Sequence, residues 1–377
     1  MRAPFRLTLL LATLLAGTAH AELVIGVSLP LTGPASGLGV PMHNGLKRWP
    51  DTIAGEKVRW IVLDDATDPA KGVQNARRLT GEEQVDLVIG SGATPVAAAM
   101  AAVAAEAQTV QLALSPVPLP PGKDTWTFRL PHGTGVMSDA LVAHMRRQGV
   151  KSLGFIGYTD AYGEAYLQEM KPRLERAGIA LVAVERFART DTQVGGQALK
   201  LLAARPDAVL VVASGSGAAM PQTTLVERGY TGRIYQSAAA ATRDLMRVGG
   251  KDVEGGYVVA GPVIVAEQLP PQHPARERAL QFVQDYEKAY GAGSRNQLAA
   301  HAFDVSVLLA QAVPLAKQKA RPGSAAFRAA LRDALEQAPA VAVSNGVLDY
   351  TAQDHWGYPA DTGVVLRVAN GDWQLEK

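Results

Sequence analysis

The 377-residue sequence has no cysteine, few aromatic residues (6%) and no excess of either charge, with 37 lysines and arginines against 35 aspartates and glutamates. Without cysteine there can be no disulfide, no thiolate nucleophile, no cysteine-bound zinc and no lipid-modified cysteine after a leader. Stability must then come from burial. The balanced charge, with no lysine or arginine block, excludes the basic and aromatic surface that holds nucleic acid, and it gives no attraction to an anionic membrane.

Catalytic constellations are also missing. His20, His43, His132, His144, His273, His301 and His355 are scattered, and none pairs at zinc spacing. Gly215-Ser216-Gly217 follows an apolar run, but Ser214 and Ala218 break the G-x-S-x-G pattern of a nucleophile elbow. Gly37-Leu38-Gly39 is followed by Met42 where a dinucleotide fingerprint needs its third glycine. No phosphate-cradling G-x-x-x-x-G-K-S/T is present. Asp64, Asp65 and Asp68 read as strand-end and capping residues rather than as metal ligands. We expect a binding protein without cofactor or metal, not an enzyme.

What is present begins with a leader. Arg2 and Arg6 precede an apolar run from Leu7 to Gly17, and Ala19-His20-Ala21 offers small residues around a cleavable bond, so cleavage is expected after Ala21. The run is half of the ~20 residues that a membrane-crossing helix needs, and no later segment is expected to cross.

After the leader, short apolar runs alternate with segments at helical spacing. Strands are expected at Leu23–Leu29, Val58–Leu63, Val85–Ile89, Val110–Leu114, Ser152–Tyr158, Ile179–Phe187, Ala208–Val212, Arg233–Tyr235 and Gly256–Val263. Apolar strands of this kind are buried on both faces, as in parallel sheets covered by helices, so the fold class is α/β, doubly wound. Asp68-Pro69 and Thr94-Pro95 each place an N-cap before a proline at the first helical position. Pro172 falls within a helical pattern and predicts a kink or break. Beyond Glu267–Pro274, helices are expected around Ala275–Tyr290, Leu298–Lys317 and Ala325–Glu336, then short strands to the end.

Six segments carry a resemblance: IGVSLPLTGPASGLG, VLDDATDPAKGVQNARRL, IGSGATPVAAA, LALSP, FRLP and GFIGYTDAYGEAYLQEM. In this order and spacing the chain resembles the periplasmic solute-binding proteins of the branched-chain amino acid type, which serve ABC importers. The resemblance implies two similar α/β lobes, residues 22–130 plus 263–344 and residues 131–262 plus 345–377. Three crossings near Leu130, Pro262 and Asn345 would join them, with a ligand in the cleft and hinge-like closure. It further implies a periplasmic location, an ABC transporter membrane permease as partner, and a monomer.

Ser91-Gly92-Ala93-Thr94 ends a strand and opens a helix, so it combines a hydroxyl, free backbone N–H groups and the positive end of a helix dipole, which suits a carboxylate. The same turn read structurally is an ordinary strand-to-helix connection. By resemblance, Ser115, Val117 and Leu119 belong to a second ligand loop, Tyr162 touches the ligand from the second lobe, and Leu38 faces the ligand's side chain. His132 could add a hydrogen bond or a charge to an anion, or merely cap the following turn. The chain departs from amino-acid binders at Leu119, where a threonine is common, at Ala238, where an acid meets the ligand ammonium, and at Ser214 or Gly215, where a tyrosine is expected. A buried ammonium without an acidic partner is costly. These departures favour a small carboxylate with an apolar body, an aromatic or keto acid, over a branched-chain amino acid. Two other readings are a ligand-sensing module for a membrane receptor and a secreted hydrolase on a similar scaffold.

Overall fold

The computed structural model describes residues 22–376. The leader and its cleavage site lie outside the described residues. The first half of the chain forms β1 (Leu23–Leu29), α1 (Ser36–Leu46), β2 (Thr52–Ile53), β3 (Glu56–Asp64), α2 (Pro69–Arg77), β4 (Leu87–Gly90), α3 (Thr94–Glu106), β5 (Val110–Ala113) and β6 (Thr127–Arg129). These strands make one sheet in the order β2-β3-β1-β4-β5-β6. Pairing is parallel throughout except for the β2–β3 hairpin. Strand β1 sits between β3 and β4, so the winding direction reverses there, and the reversal opens a crevice at the carboxyl ends of the strands.

The pattern repeats. After α4 (Thr134–Arg147) come β7 (Ser152–Tyr158), α5 (Ala161–Ala177), β8 (Ala180–Phe187), α6 (Gly195–Ala204), β9 (Ala208–Val212), α7 (Gly215–Glu227), β10 (Arg233–Gln236), α8 (Arg243–Gly249) and β11 (Tyr257–Ala260). A 3-10 segment, Pro262–Gln268, leads to α9 (Arg276–Tyr290), α10 (Gln297–Lys317) and α11 (Ala325–Gln337). Strands β12 (Val341–Val343) and β13 (Gly346–Leu348) form a small hairpin, followed by β14 (Val364–Ala369) and β15 (Asp372–Leu375). The second sheet runs β15-β14-β11-β10-β9-β7-β8, with the last two chain strands antiparallel at one edge. Its winding reverses at β7, between β8 and β9.

Two apolar cores follow from the two sheets. Leu23, Ile25, Val27, Leu87 and Ile89 pack with the interior face of α10, around Val305 and Leu309, and with Phe327 of α11. Phe155, Leu210, Val258 and Met170 anchor the other, and it takes in Val263–Ala266 and Phe282. Leu348, Tyr350 and Tyr358 join the core of the first sheet, whereas Leu366 and Trp373 join that of the second. Fully burying one such side chain contributes about 1.5–3 kcal/mol, which is how a chain without cysteine is held.

Several sequence expectations hold and several need correction. Asp68 caps α2, its Oδ1 accepting from the amides of Ala70 (2.7 Å) and Lys71 (3.3 Å), with Pro69 at the first position. Thr94 is not a cap: it is the first residue of α3, Ala93 stands at the cap position, and no side chain bonds the helix start. The helix α5 runs unbroken through Pro172, because packing of Tyr166, Leu167, Met170 and Leu174 against the second core outweighs the missing backbone bond. Val263 belongs to the 3-10 segment, not to a strand. The helix α10 is long and apolar enough to cross a membrane by length and composition, yet it is mostly buried inside the protein, packed on α1 and α11.

Asp64 and Asp65 are strand-end residues, as expected. Asp64 accepts from the amides of Leu31 (3.0 Å), Thr32 (3.2 Å) and Ala66 (2.8 Å) and from the Thr32 hydroxyl (2.6 Å), which holds its carboxyl below the usual range.

Candidate functional site

The carboxyl ends of the strands from both sheets converge on one cleft. Gly92 and Thr94 follow β4, Leu114 and Ser115 follow β5, Tyr162 follows β7, Arg189 follows β8, Ser214 follows β9, and Ala238 and Ala239 follow β10. The start of α10 (Gln297, Leu298, His301) and the link after β6 (Pro131, His132) complete the wall. The cavity that these residues enclose measures about 50 Å3.

On the side of the first sheet, the start of α3 offers the amides of Gly92 and Thr94, which make no hydrogen bond within the protein among the described residues. Pro95 has no N–H to offer. These unpaired donors and the helix dipole favour an anion. Gly92 lies close to Met42: a Cβ there would stand 2.5 Å from the Met42 sulfur and would displace the end of that side chain.

On the side of the second sheet, most polar atoms are already partnered. The Tyr162 hydroxyl donates to Ser237 Oγ (3.1 Å) and accepts from the amide of Ala239 (3.1 Å). The Tyr166 hydroxyl accepts from the amide of Ala238 at 3.4 Å. Gln297 Oε1 accepts from Gly261 N at 2.9 Å, and its Nε2 donates to the carbonyl of Ala238. Arg189 donates through Nε to Asp160 Oδ2 (2.5 Å) and through Nη1 to Ser214 Oγ (3.1 Å), with its guanidinium 4.2 Å from the centre of the Tyr158 ring.

Two buried histidines close the wall near the links between sheets. His132 donates through Nε2 to the carbonyl of Asn345 at 3.1 Å and stacks on Tyr358 at 4.0 Å. Asn345 Nδ2 donates to His301 Nδ1 at 3.3 Å, which leaves the His301 proton on Nε2. Burial pushes both imidazoles down to about 3, so both are neutral. The charge considered for His132 is therefore not available to a ligand, because desolvation disfavours the imidazolium.

Of the residues singled out from the sequence, Leu38, Gly92, Thr94, Ser115, His132, Tyr162, Ser214 and Ala238 line the cleft. Four do not. Ser91 is fully buried, and its Oγ accepts from the amide of Ala93 at 3.2 Å, so the hydroxyl serves its own turn. Ala93 is buried beside it. Val117 inserts between α3 and β5 against Ala97 and Ala113, and Leu119 packs on that cluster, away from the cleft. The proline-rich turn after Ser115 swings both side chains there. The apolar wall comes instead from Leu38, Leu114, Met137 and Leu298.

Sequence reasoning missed Tyr166, Arg189, Gln297 and His301. The signal for Arg189 in the sequence is its place two residues beyond β8, a strand beside the point where the winding of the second sheet reverses. Nothing in the local sequence marks Gln297 or His301; they reach the cleft because α10 begins there. No aspartate or glutamate lines it among the described residues.

Comparisons with known proteins agree with this architecture. A family model described as periplasmic binding protein matches residues 22–371. An extracellular ligand-binding receptor from Rhodopseudomonas palustris HaA2 is 40% identical, with 95% of this chain and 100% of that one covered at a TM-score of 0.93. A Leu/Ile/Val-binding protein homolog from Brucella melitensis is 23% identical over 352 residues, 89% of each chain. A solute-binding protein of an ABC transporter from R. palustris, solved with benzoate, is 18% identical and superposes at a TM-score of 0.79 over 94% of this chain and 95% of that one. The chain belongs to the periplasmic binding protein family, and it is similar over most of its length to a protein named for binding leucine, isoleucine and valine.

Proposed function

We propose that the protein is the substrate-binding component of an ABC importer and that it captures a small carboxylate with an apolar body, an aromatic or keto acid, between two lobes. The observation that carries this reading is the chemistry of the wall: among the described residues, unpaired amides at the start of α3 on one side and no acidic side chain on any side. An α-ammonium in such a space would give up its hydration for no counter-charge. The alanine at position 238 is part of the same argument. The benzoate-bound neighbour contributes the shared fold alone; the ligand class rests on the lining.

In this reading the body of the first sheet, with Leu348, Tyr350 and Tyr358 in its core, acts as one lobe and the body of the second, with Val263–Ala266 and Phe282 in its core, as the other, joined by three crossings in a monomer delivered to the periplasm after removal of residues 1–21. Ligand held by the α3 amides on one lobe and by the Tyr162 and Arg189 region on the other makes its full set of contacts only when the cleft is shut. Such differential contacts move an open–closed equilibrium. A shift from 1:99 to 99:1 takes about 5.5 kcal/mol, within the roughly 8 kcal/mol of a micromolar ligand.

The test is a thermal-shift and calorimetry panel of benzoate, phenylpyruvate, 4-methyl-2-oxopentanoate, leucine and isoleucine. Carboxylates lacking the ammonium should raise the midpoint, by an amount corresponding to about 2.7 kcal/mol at a hundredfold excess over Kd. Tight binding of leucine with no response to the acids would overturn the ligand class.

A further inference from the structure

We infer that Arg189 is the charge selector of the cleft, offering its Nη2 to one ligand carboxylate and rejecting ligands whose polar end is cationic or neutral. The inference rests on the carboxylate reading above and adds to it the residue that enforces it.

The guanidinium is held on three sides. Its Nε donates to Asp160 Oδ2 at 2.5 Å, its Nη1 donates to Ser214 Oγ at 3.1 Å, and its central carbon lies 4.2 Å from the Tyr158 ring centre. Its side chain is only 11% exposed, and the residue lines the cleft. Nη2 makes no hydrogen bond to protein among the described residues. A guanidinium already fixed by packing and hydrogen bonds loses little side-chain freedom on taking a ligand oxygen.

Asp160 does not cancel this capacity. Its Oδ1 is engaged with the amides of Tyr162 (2.9 Å) and Gly163 (3.4 Å) at the start of α5, so the carboxylate is shared between a helix cap and Arg189. The other polar side chains of the wall carry no charge among the described residues. Tyr162 and Gln297 are committed to protein partners, and Ser115 Oγ donates to the carbonyl of Ser91 at 3.1 Å. His132 and His301 are neutral, so among the described residues Arg189 carries the one full charge on the wall.

The experiment measures Kd by calorimetry for benzoate, phenylpyruvate and 4-methyl-2-oxopentanoate, each beside its primary amide, on the wild type, Arg189→Gln and Arg189→Lys. For the best acid, the wild type should prefer acid over amide by about 30-fold or more, as expected for a charge-assisted hydrogen bond. Arg189→Gln should lose about that factor for the acid and leave the amide within about threefold, so the preference collapses. Arg189→Lys, with the charge kept and the fork lost, should fall between. The acid-to-amide ratio is measured on one preparation and does not depend on the folded fraction, so partial unfolding of a variant cannot imitate the result. A wild-type ratio retained in Arg189→Gln overturns the assignment while leaving the carboxylate reading in place. Failure of the wild type to bind any of the acids overturns the carboxylate reading and the assignment together.

Discussion

The hydroxyl of Tyr162 donates to Ser237 Oγ at 3.1 Å, and through this bond the first helix turn after β7 holds the loop after β10. The same oxygen accepts from the amide of Ala239 at 3.1 Å. Tyr162 therefore presents its ring to the cleft while its polar end organises the wall.

Two substitutions separate these roles. Tyr162→Phe should cost about 1–2 kcal/mol of unfolding free energy in urea, because the half-buried amide of Ala239 loses its acceptor and Ser237 its donor. Tyr162→Ala should keep the fold and weaken ligand binding by removing the ring. A dissociation constant unchanged in Tyr162→Ala would take this residue out of the site.

Gln297 couples the start of α10 to both the segment after β11 and the loop after β10, through Gly261 N and the Ala238 carbonyl. In Gln297→Ala both groups lose a buried partner, and a destabilisation of about 1–3 kcal/mol is expected. Hydrogen exchange should show faster opening of the Gly261 amide. Protection equal to that of the wild type would mean that another group supports it.

A side chain at Gly92 would meet Met42, whose sulfur lies 2.5 Å from where a Cβ would sit. Gly92→Val should push Met42 out of its place and narrow the mouth of α3, costing about 1–3 kcal/mol of stability and about tenfold or more in affinity for a carboxylate, roughly one lost hydrogen bond. Calorimetry with benzoate alongside thermal unfolding checks both; unaltered affinity would place the anion elsewhere in the cleft.

Stability should depend on pH through three buried groups near the links between the sheets. Burial pushes His132 and His301 from 6.5 down to about 3, so the unfolded chain binds protons there that the folded chain refuses. Their contribution is full above about 6.5 and is lost as pH falls toward 3. Asp304, whose Oδ1 and Oδ2 accept from the amide (3.0 Å) and hydroxyl (2.7 Å) of Ser344, is raised by burial from 3.8 to about 7. The folded chain keeps that proton, so this contribution is present below about 3.8 and lost as pH rises toward 7. The histidines and the aspartate thus oppose each other between these limits. Asp304→Asn removes the opposing term, and its unfolding free energy should rise with pH more steeply than that of the wild type, by about 1.4 kcal/mol per pH unit between roughly 4.5 and 6. Parallel profiles for the two proteins would show that Asp304 does not hold its proton.

The order of βα units, the cap at Asp68, the turn that opens α3 and the missing acid at position 238 were all legible in the sequence. The first three depend on residues adjacent along the chain: apolar runs long enough to be buried on two faces, a capping oxygen before a proline, a strand end running into a helix start; the alanine at position 238 was marked by resemblance alone. Even the general location of the site follows from that order, since a doubly wound sheet opens its crevice where the winding reverses.

Only the tertiary structure decided which side chains face that crevice. Val117 and Leu119 turned into a cluster with Ala97 and Ala113, Ser91 bonded its own turn, Arg189 arrived from the loop after β8, and Gln297 and His301 from a segment with no local mark. The direction of a side chain beyond a strand end is set by the path of the turn and by partners far away in sequence, such as Asp160 and Ser214 for Arg189 or Asn345 for His301. Adjacent residues fix where a strand stops; distant ones fix what its loop presents.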